Sequence, residues 1–164
     1  MACPDLNPSF NVLPAEIALR PVFAVSCSNV FMTFLENNQI KLRCSPDAGN
    51  SVSGKKNLMQ VSGPVNFLRI EARDDIAVVA ALERTSSGLQ IRGITGIITP
   101  PQDPAEVAEF QHTPCSTLAL PGVSFQDILD LIIRINDDGT SDDFVIIKTG
   151  TGTTTAHTGH HPHP

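Results

Sequence analysis

Residues 65–99 read VNFLRIEARDDIAVVAALERTSSGLQIRGITGIIT, and this stretch decides the fold class. It holds three apolar runs, which are Val65–Ala72, Ile76–Arg84 and Leu89–Thr99. Short polar breaks rich in Asp, Ser and Gly separate the runs. Short apolar runs joined by tight polar turns are typical of strands in β-hairpins. The stretch therefore predicts three consecutive antiparallel strands.

The same pattern of short apolar runs and turn residues extends over most of the chain. The further predicted strands are Ile17–Val25, Val30–Glu36, Ile40–Cys44, Cys115–Leu120, Leu131–Ile135 and Phe144–Lys148. Two places also fit a helix: Ala105–Phe110 as a single turn, and the start of Ser124–Ile135, where Ser124 and Asp127 form a capping-box pattern. Strands at this spacing predict an all-β protein, an antiparallel, jelly-roll-like β-sandwich.

The two ends of the chain differ in composition from this middle part. Residues 1–15 carry Pro4, Pro8 and Pro14 among polar residues, which predicts an extended N-terminal arm. Residues 16–149 form the predicted sandwich domain. Residues 150–164 are rich in Thr, Gly and His and lack a large apolar side chain, so we expect a disordered tail.

Composition narrows the classes of function. The chain has 164 residues, of which 41% are hydrophobic, and this suits one domain with a single core. Charged residues make up 17%, below the roughly 25% that is usual for soluble domains. Eleven basic residues beside seventeen acidic ones form no positive stripe, so we expect no nucleic-acid partner. So few charges suit a surface that other protein covers.

The first residues, Met1–Asp5, contain no basic region and no apolar stretch, and thus predict no secretory signal peptide. No apolar run approaches the ~18 residues of a membrane-spanning helix, so we expect no membrane partner.

Catalytic and cofactor motifs are weak. Residues Gly49–Lys56 resemble a phosphate-binding loop in their glycine spacing, but a second Lys and then Asn57 follow where Ser or Thr is required. His112 is the only histidine before the tail, and Cys115 lies three residues later without a nucleophile elbow. We therefore predict no catalytic residues, no cofactor and no enzyme.

Metal binding is also weakly indicated. The cysteines Cys3, Cys27, Cys44 and Cys115 include no closely spaced pair of the zinc-site kind. The acidic residues around Gly139 lack the spacing of a calcium loop, and the tail histidines make at most a weak, incidental site. We expect no metal site. Without a signal peptide, the simplest reading of the cysteines is buried, reduced thiols.

Three segments resemble a known family. They are Arg20–Phe23, the hairpin Phe67–Leu82 with its FLRIE and AVV motifs, and Cys115–Pro121. These segments are similar to the outer-coat and exosporium basal-layer proteins of Bacillus-type endospores, the CotY/CotZ/ExsY group. The similarity covers roughly residues 20–35, 64–82 and 113–135.

The resemblance implies a structural protein that assembles with copies of itself, and with other coat proteins, into layers around the spore. Such proteins are laid down from the mother-cell cytoplasm without a signal peptide and are hardened by inter-subunit disulfides. The family is rich in cysteine, whereas this chain has only four, which is a departure from the family's pattern. A spore filament or appendage subunit is a second possibility, in which the N-terminal arm reaches the next subunit by strand addition or a disulfide.

We therefore predict a self-assembling structural subunit of a surface layer or filament at the spore surface. The candidate inter-subunit disulfide joins Cys3 of one copy to Cys115 of another, with Cys27 and Cys44 as the other cysteines. The alternative is a small monomeric β-sandwich that binds a metal or small ligand, and an enzyme ranks third.

Overall fold

The computed structural model describes residues 20–100, 108–138, 140–149 and 152–161. These residues form three antiparallel sheets. Sheet A comprises β1 (Val22–Ser26), β2 (Asn29–Glu36), β3 (Gln39–Ser45) and β4 (Lys56–Gln60). Sheet B comprises β5 (Val65–Arg73), β6 (Ile76–Thr85), β7 (Gly88–Thr99), β8 (Glu109–His112) and β9 (Ser116–Leu120). Sheet C comprises β10 (Ile128–Ile135), β11 (Ser141–Thr149) and β12 (Gly152–His161). The predicted arm, residues 1–15, lies outside the described residues.

The all-β, antiparallel prediction is confirmed, and each sheet is built from consecutive strands. In sheet B the strands β8 and β9 both pair with β7, one along each half of that long strand. A jelly roll instead sends the chain back and forth between its sheets. In the described residues, no pairing of that kind links one sheet to another, so this part of the prediction is not confirmed.

Tight turns explain how the consecutive strands pair. Asn37 and Asn38, between β2 and β3, have φ values of 53° and 58°. Two successive positive φ angles match the type I′ turn, whose twist suits a hairpin and which Asn tolerates. Asp74 has a φ of 55° in the two-residue turn between β5 and β6. Local turn chemistry therefore sets the register of these hairpins.

Sheet B is the middle layer of three. On β6, side chains such as Val79 pack in one apolar cluster with Phe31 of sheet A. Alternate side chains such as Val78 pack in a second cluster with Leu131 of sheet C. Residues 76–83 of β6 are all buried. A strand covered on both faces needs an apolar run without the usual polar alternation, which is what this strand has.

Two ambiguous segments become strands. Phe125–Asp127 forms one 3₁₀ turn, in which Ser124 makes no side-chain cap, and β10 begins at the next residue. The favoured strand in Leu131–Ile135 is thus present and starts three residues earlier. The single helical turn at Ala105–Phe110 is wrong for its last two residues, because Glu109 and Phe110 pair with β7. Ala108 is in no helix, and residues 105–107 lie outside the described residues.

The structure also differs from the expected disordered tail. The backbone of Gly152–His161 pairs with β11 as the strand β12. Without a neighbour there, β11 would leave one row of backbone donors and acceptors unpaired, and threonine is well suited to strands. Backbone pairing therefore orders a segment that contains no large apolar anchor.

Candidate assembly surface

Large apolar side chains are exposed on three strands at the edges of the sheets. In the described part of the chain they are Phe23 and Val25 on β1, Leu118 on β9, and Leu129 and Ile132 on β10. Each of these strands pairs with only one described neighbour. Exposed apolar side chains on edge strands favour contact with another chain. These strands are the candidate assembly surfaces.

Strand β10 has apolar side chains on both of its faces. Leu131 lies opposite Val145 of β11, and both side chains belong to the core between sheets B and C. Because side chains alternate along a strand, Ile132 points away from that core, and it is 41% exposed. Leu129, at an irregularity in the pairing with β11, is 47% exposed. The outer face of sheet C thus carries an apolar strip at its edge.

The edge of β10 lies beside β5, the edge strand of sheet B. A shallow cleft of about 220 Å³ separates them and is lined by residues 69–71 and 130–133. One guanidinium nitrogen of Arg69 lies 2.7 Å from a carboxylate oxygen of Asp130 across the cleft. Arg73 makes a similar contact of 2.7 Å with Asp137. These two ion pairs lie beside the exposed apolar side chains of Leu129 and Ile132.

One buried carboxylate has a structural rather than a catalytic setting. Glu83 on β6 has 0% of its surface exposed. Its Oε1 accepts hydrogen bonds from the backbone N–H groups of Ser62 and Gly63, at the connection between sheets A and B, and from the Ser62 hydroxyl. Its Oε2 accepts a 2.9 Å hydrogen bond from Gln90 and lies 3.7 Å from a nitrogen of Arg92. Each oxygen is used to hold neighbouring segments together.

The charge on Glu83 follows from these contacts. Burial raises the pKa of Glu83. The hydrogen bonds from Gln90, Ser62 and Gly63 together lower it by more than burial raises it, so the pKa lies below its ordinary value of 4.5. A hydrogen bond to the charged form favours ionisation. Glu83 is therefore an ionised group at neutral pH, not a proton donor poised for catalysis.

The described cysteines occupy different environments. Cys44 and Cys115 are the free thiols in the part of the chain that the structure describes. Cys44 is buried, and burial raises the pKa of its thiol even though Ser53 hydrogen-bonds it. Cys115 is half-buried at the start of β9, with its Sγ 3.9 Å from the Sδ of Met59. Cys27 lies in the turn between β1 and β2, and Cys3 lies outside the described residues.

The other sequence candidates do not form a catalytic group. His112 stacks on Phe110 and places its Nδ1 2.8 Å from the carbonyl oxygen of Thr113. The Sγ of Cys115 instead donates to the carbonyl oxygen of Ser116 at 3.3 Å. These contacts occupy the two groups separately, as expected for side chains that serve the local structure.

The glycine and lysine loop is also used structurally. Lys55 lies 2.9 Å from Glu36, and Lys41 lies 2.6 Å from the same carboxyl group. Hydrogen bonds from Lys41 and then Lys55 lower the pKa of Glu36. The chain after Lys55 enters β4 rather than a helix. The loop thus lacks the helix that a phosphate-binding loop requires.

The acidic turn is hydrogen-bonded to its own neighbours. Asp138 accepts hydrogen bonds from the backbone N–H and the hydroxyl of Thr140, and Asp142 accepts one from the Asn136 side chain. Among the described residues, no group of three or more His, Cys, Asp or Glu side chains could hold a metal. The side chains of the tail histidines lie outside this description.

The surface contains an open groove of about 650 Å³. It lies between the segment 53–56 and the segment 108–110. Lys55 and Lys56 contribute positive charge, and Phe110 contributes an apolar surface. A groove of this size falls in the range of small-molecule sites. This groove is therefore a candidate site for a small ligand.

Comparison with protein-family models, with curated proteins and with solved structures found no match to this chain. Among the described residues, no helix is long and apolar enough to cross a membrane.

Sequence reasoning had favoured the cysteines as contact residues and missed Leu129 and Ile132. The sequence signal for this surface was the run ILDLIIRI, residues 128–135, which has apolar residues at both odd and even positions and hence on both faces of a strand. A strand that is buried on both faces has the same kind of apolar run. The sequence did not reveal that this strand lies at an edge.

Proposed function

We propose that this protein is a structural subunit that assembles with copies of itself into a layer or filament. The observation that carries the proposal is the exposure of two large apolar side chains, Leu129 and Ile132, on the edge strand β10. Large apolar side chains that are exposed close together on one surface favour contact with another chain. Here the exposed strip combines with a charged content of only 17%. Burial in an assembly accounts for both features.

The setting at the spore surface is part of the same proposal. It is supported by the three resembling segments, two of which correspond to the β5–β6 hairpin and to β9 with its leading Cys115. In that setting the protein is laid down from the mother-cell cytoplasm and joins other coat proteins.

Inter-subunit disulfides would add covalent strength to the assembly. Cys115 supports this part, because its thiol is free, only half-buried, and next to the edge strand β9. An arm of about ten extended residues spans roughly 30 Å, which is enough for Cys3 to reach a neighbouring subunit. Cys44 is the matched control, since it is free but buried.

Electron microscopy of the purified, concentrated protein tests the proposal. We expect regular sheets or filaments, and we expect oxidised assemblies to give a ladder of covalent species on non-reducing SDS gels. Cys3→Ser and Cys115→Ser should each shorten the ladder, whereas Cys44→Ser should leave it unchanged. A protein that stays monomeric at millimolar concentration would contradict the proposal. A ladder that persists in Cys3→Ser would exclude the arm as the crosslink.

The second candidate function is that of a monomeric binding module. The groove between segments 53–56 and 108–110 favours it, because its two lysines suit a small anionic ligand. Calorimetric titration with inorganic phosphate and with citrate tests this reading. Saturable binding that Lys56→Ala weakens, in a protein that remains monomeric, would favour the module over the assembly.

A further inference from the structure

We propose that the outer face of β10 packs against the same face of a second copy, with the two strands antiparallel and a twofold axis at Ile132. The inference rests on the proposed function and names the surface and partner for one contact of the assembly. A contact of this kind uses one patch twice, so the patch must be complementary to itself.

The order of side chains on this face has the required symmetry. Asp130, Ile132 and Arg134 occupy alternate positions of β10 and lie on the face opposite to the buried Leu131 and Ile133. The acidic and basic residues are each two positions from Ile132, which is about 6.6 Å along a strand. In an antiparallel arrangement centred on Ile132, each Asp130 meets the Arg134 of the other copy. One axis thus gives one apolar contact and two opposite-charge pairs.

Neighbouring groups are compatible with this arrangement. Ile146 lies opposite Asp130 in the pairing of β10 with β11, is half-buried, and widens the apolar strip. Arg69 already contacts Asp130 at 2.7 Å, so the carboxylate would lie between two guanidinium groups in the dimer. Asp142 is the cross-strand neighbour of Arg134. The charges therefore form one network across the axis.

The outer face, rather than the edge itself, is the surface open to a partner. The edge of β10 faces β5 across the shallow cleft, and this leaves little space for an added strand. Two sheets that pack face to face lie about 10 Å apart, a distance that isoleucine and charged side chains can fill.

The two other candidate strands lack this self-complementarity. Strand β1 reads VFAVS and β9 reads STLAL, and neither contains a charged residue. Self-pairing of these strands would have no charge pair to fix its register, because apolar contacts are not directional. Of the three strands, only β10 has an apolar residue with an acidic residue on one side and a basic residue on the other.

Sedimentation equilibrium of the full chain tests the proposed axis, with reductant present to exclude disulfides. Ile132→Arg places two like charges at the axis and should raise the dimer dissociation constant at least about tenfold. Ser86→Arg is the control, because Ser86 is exposed in the turn between β6 and β7 and lies on none of the candidate assembly surfaces, and it should leave that constant unchanged. Circular dichroism confirms that each variant is folded.

Charge reversal provides the sharper test. Asp130→Arg and Arg134→Asp should each weaken the dimer about threefold to tenfold, since each creates two like-charge contacts. The double reversal should restore association, although it cannot restore the contacts of these residues within their own chain. Failure of this rescue, or an unchanged dissociation constant in Ile132→Arg, overturns the proposed axis while assembly by another surface stands. A monomeric wild type overturns both proposals.

Discussion

Replacement of Glu83 by alanine should destabilise the connection between sheets A and B. The carboxylate of Glu83 is fully buried and accepts hydrogen bonds from Ser62, Gly63 and Gln90. A buried donor left without a partner costs about 1–3 kcal/mol, and water can satisfy the exposed Ser62 in part. We therefore expect Glu83→Ala to lower the free energy of unfolding by about 2–4 kcal/mol.

Two variants serve as controls for this prediction. Glu83→Gln keeps the shape and the acceptor oxygen but loses the charge, and its second terminal group becomes a donor that faces the Gln90 amide. We expect it to cost about 1–2 kcal/mol, less than alanine, because charge-assisted hydrogen bonds are roughly twice as strong as neutral ones. Glu71→Gln alters an exposed carboxylate on β5 and should change stability by less than about 0.5 kcal/mol.

The effect of Glu83 should also depend on pH. Its pKa in the folded protein is lowered below 4.5, so its stabilisation is fully present above about pH 4.5 and is lost as the pH falls through the folded pKa. The stability gap between wild type and Glu83→Gln should therefore narrow when the pH is lowered from 7 to 3.

Urea denaturation at these two pH values, at one fixed protein concentration, measures the gap. Two results would refute the reasoning about an ionised, structural carboxylate. The first is a loss below about 1 kcal/mol in Glu83→Ala, and the second is a Glu83→Gln gap that does not change between the two pH values.

Three further predictions concern local structure and thiol chemistry. Gly63→Ala should lower the free energy of unfolding, measured by urea denaturation, by at least about 2 kcal/mol, because the added Cβ would lie 1.9 Å from a backbone carbonyl oxygen of β6. Gly54→Ala is the control and should leave that free energy nearly unchanged, because no atom lies within 4 Å of its added Cβ. Asn38→Val should cost about 1–2 kcal/mol and Asn38→Gly almost nothing, because the φ of 58° is strained for a β-branched residue; equal melting temperatures would contradict the type I′ turn. In the native protein Cys115 should react with a thiol reagent well before Cys44, whose burial and raised pKa suppress the thiolate, and equal rates by peptide mass mapping would contradict the packing around Cys44.

Local sequence patterns predicted the strands well. The three strands predicted from residues 65–99 appear as β5, β6 and β7, with ends that differ by only one residue. Their turns are fixed by Asp74 and Gly88, both of which adopt positive φ. This success has a simple cause, because the residues that pair in a hairpin are close in sequence and the turn between them sets their register.

Prediction was weaker where several patterns fit the same residues. The stretch Ser124–Ile135 fits both helical spacing and a strand, and only its pairing with β11 makes residues 128–135 a strand. The tail contains no large apolar residue, so the hydrophobic pattern did not predict its backbone pairing with β11. The sequence also did not predict that Glu83 is buried and hydrogen-bonded, because its partners at positions 62 and 63 lie about twenty residues away along the chain.

The sequence by itself determined the all-β class and the hairpins, because both depend on residues that are neighbours along the chain. The tertiary structure alone decided that sheet B is the middle of three layers and that β10 lies at an edge with an exposed apolar face. An apolar run such as residues 128–135 is compatible with burial on both faces or on one. Long-range packing decides between these outcomes, and it leaves Ile132 of this run facing outward.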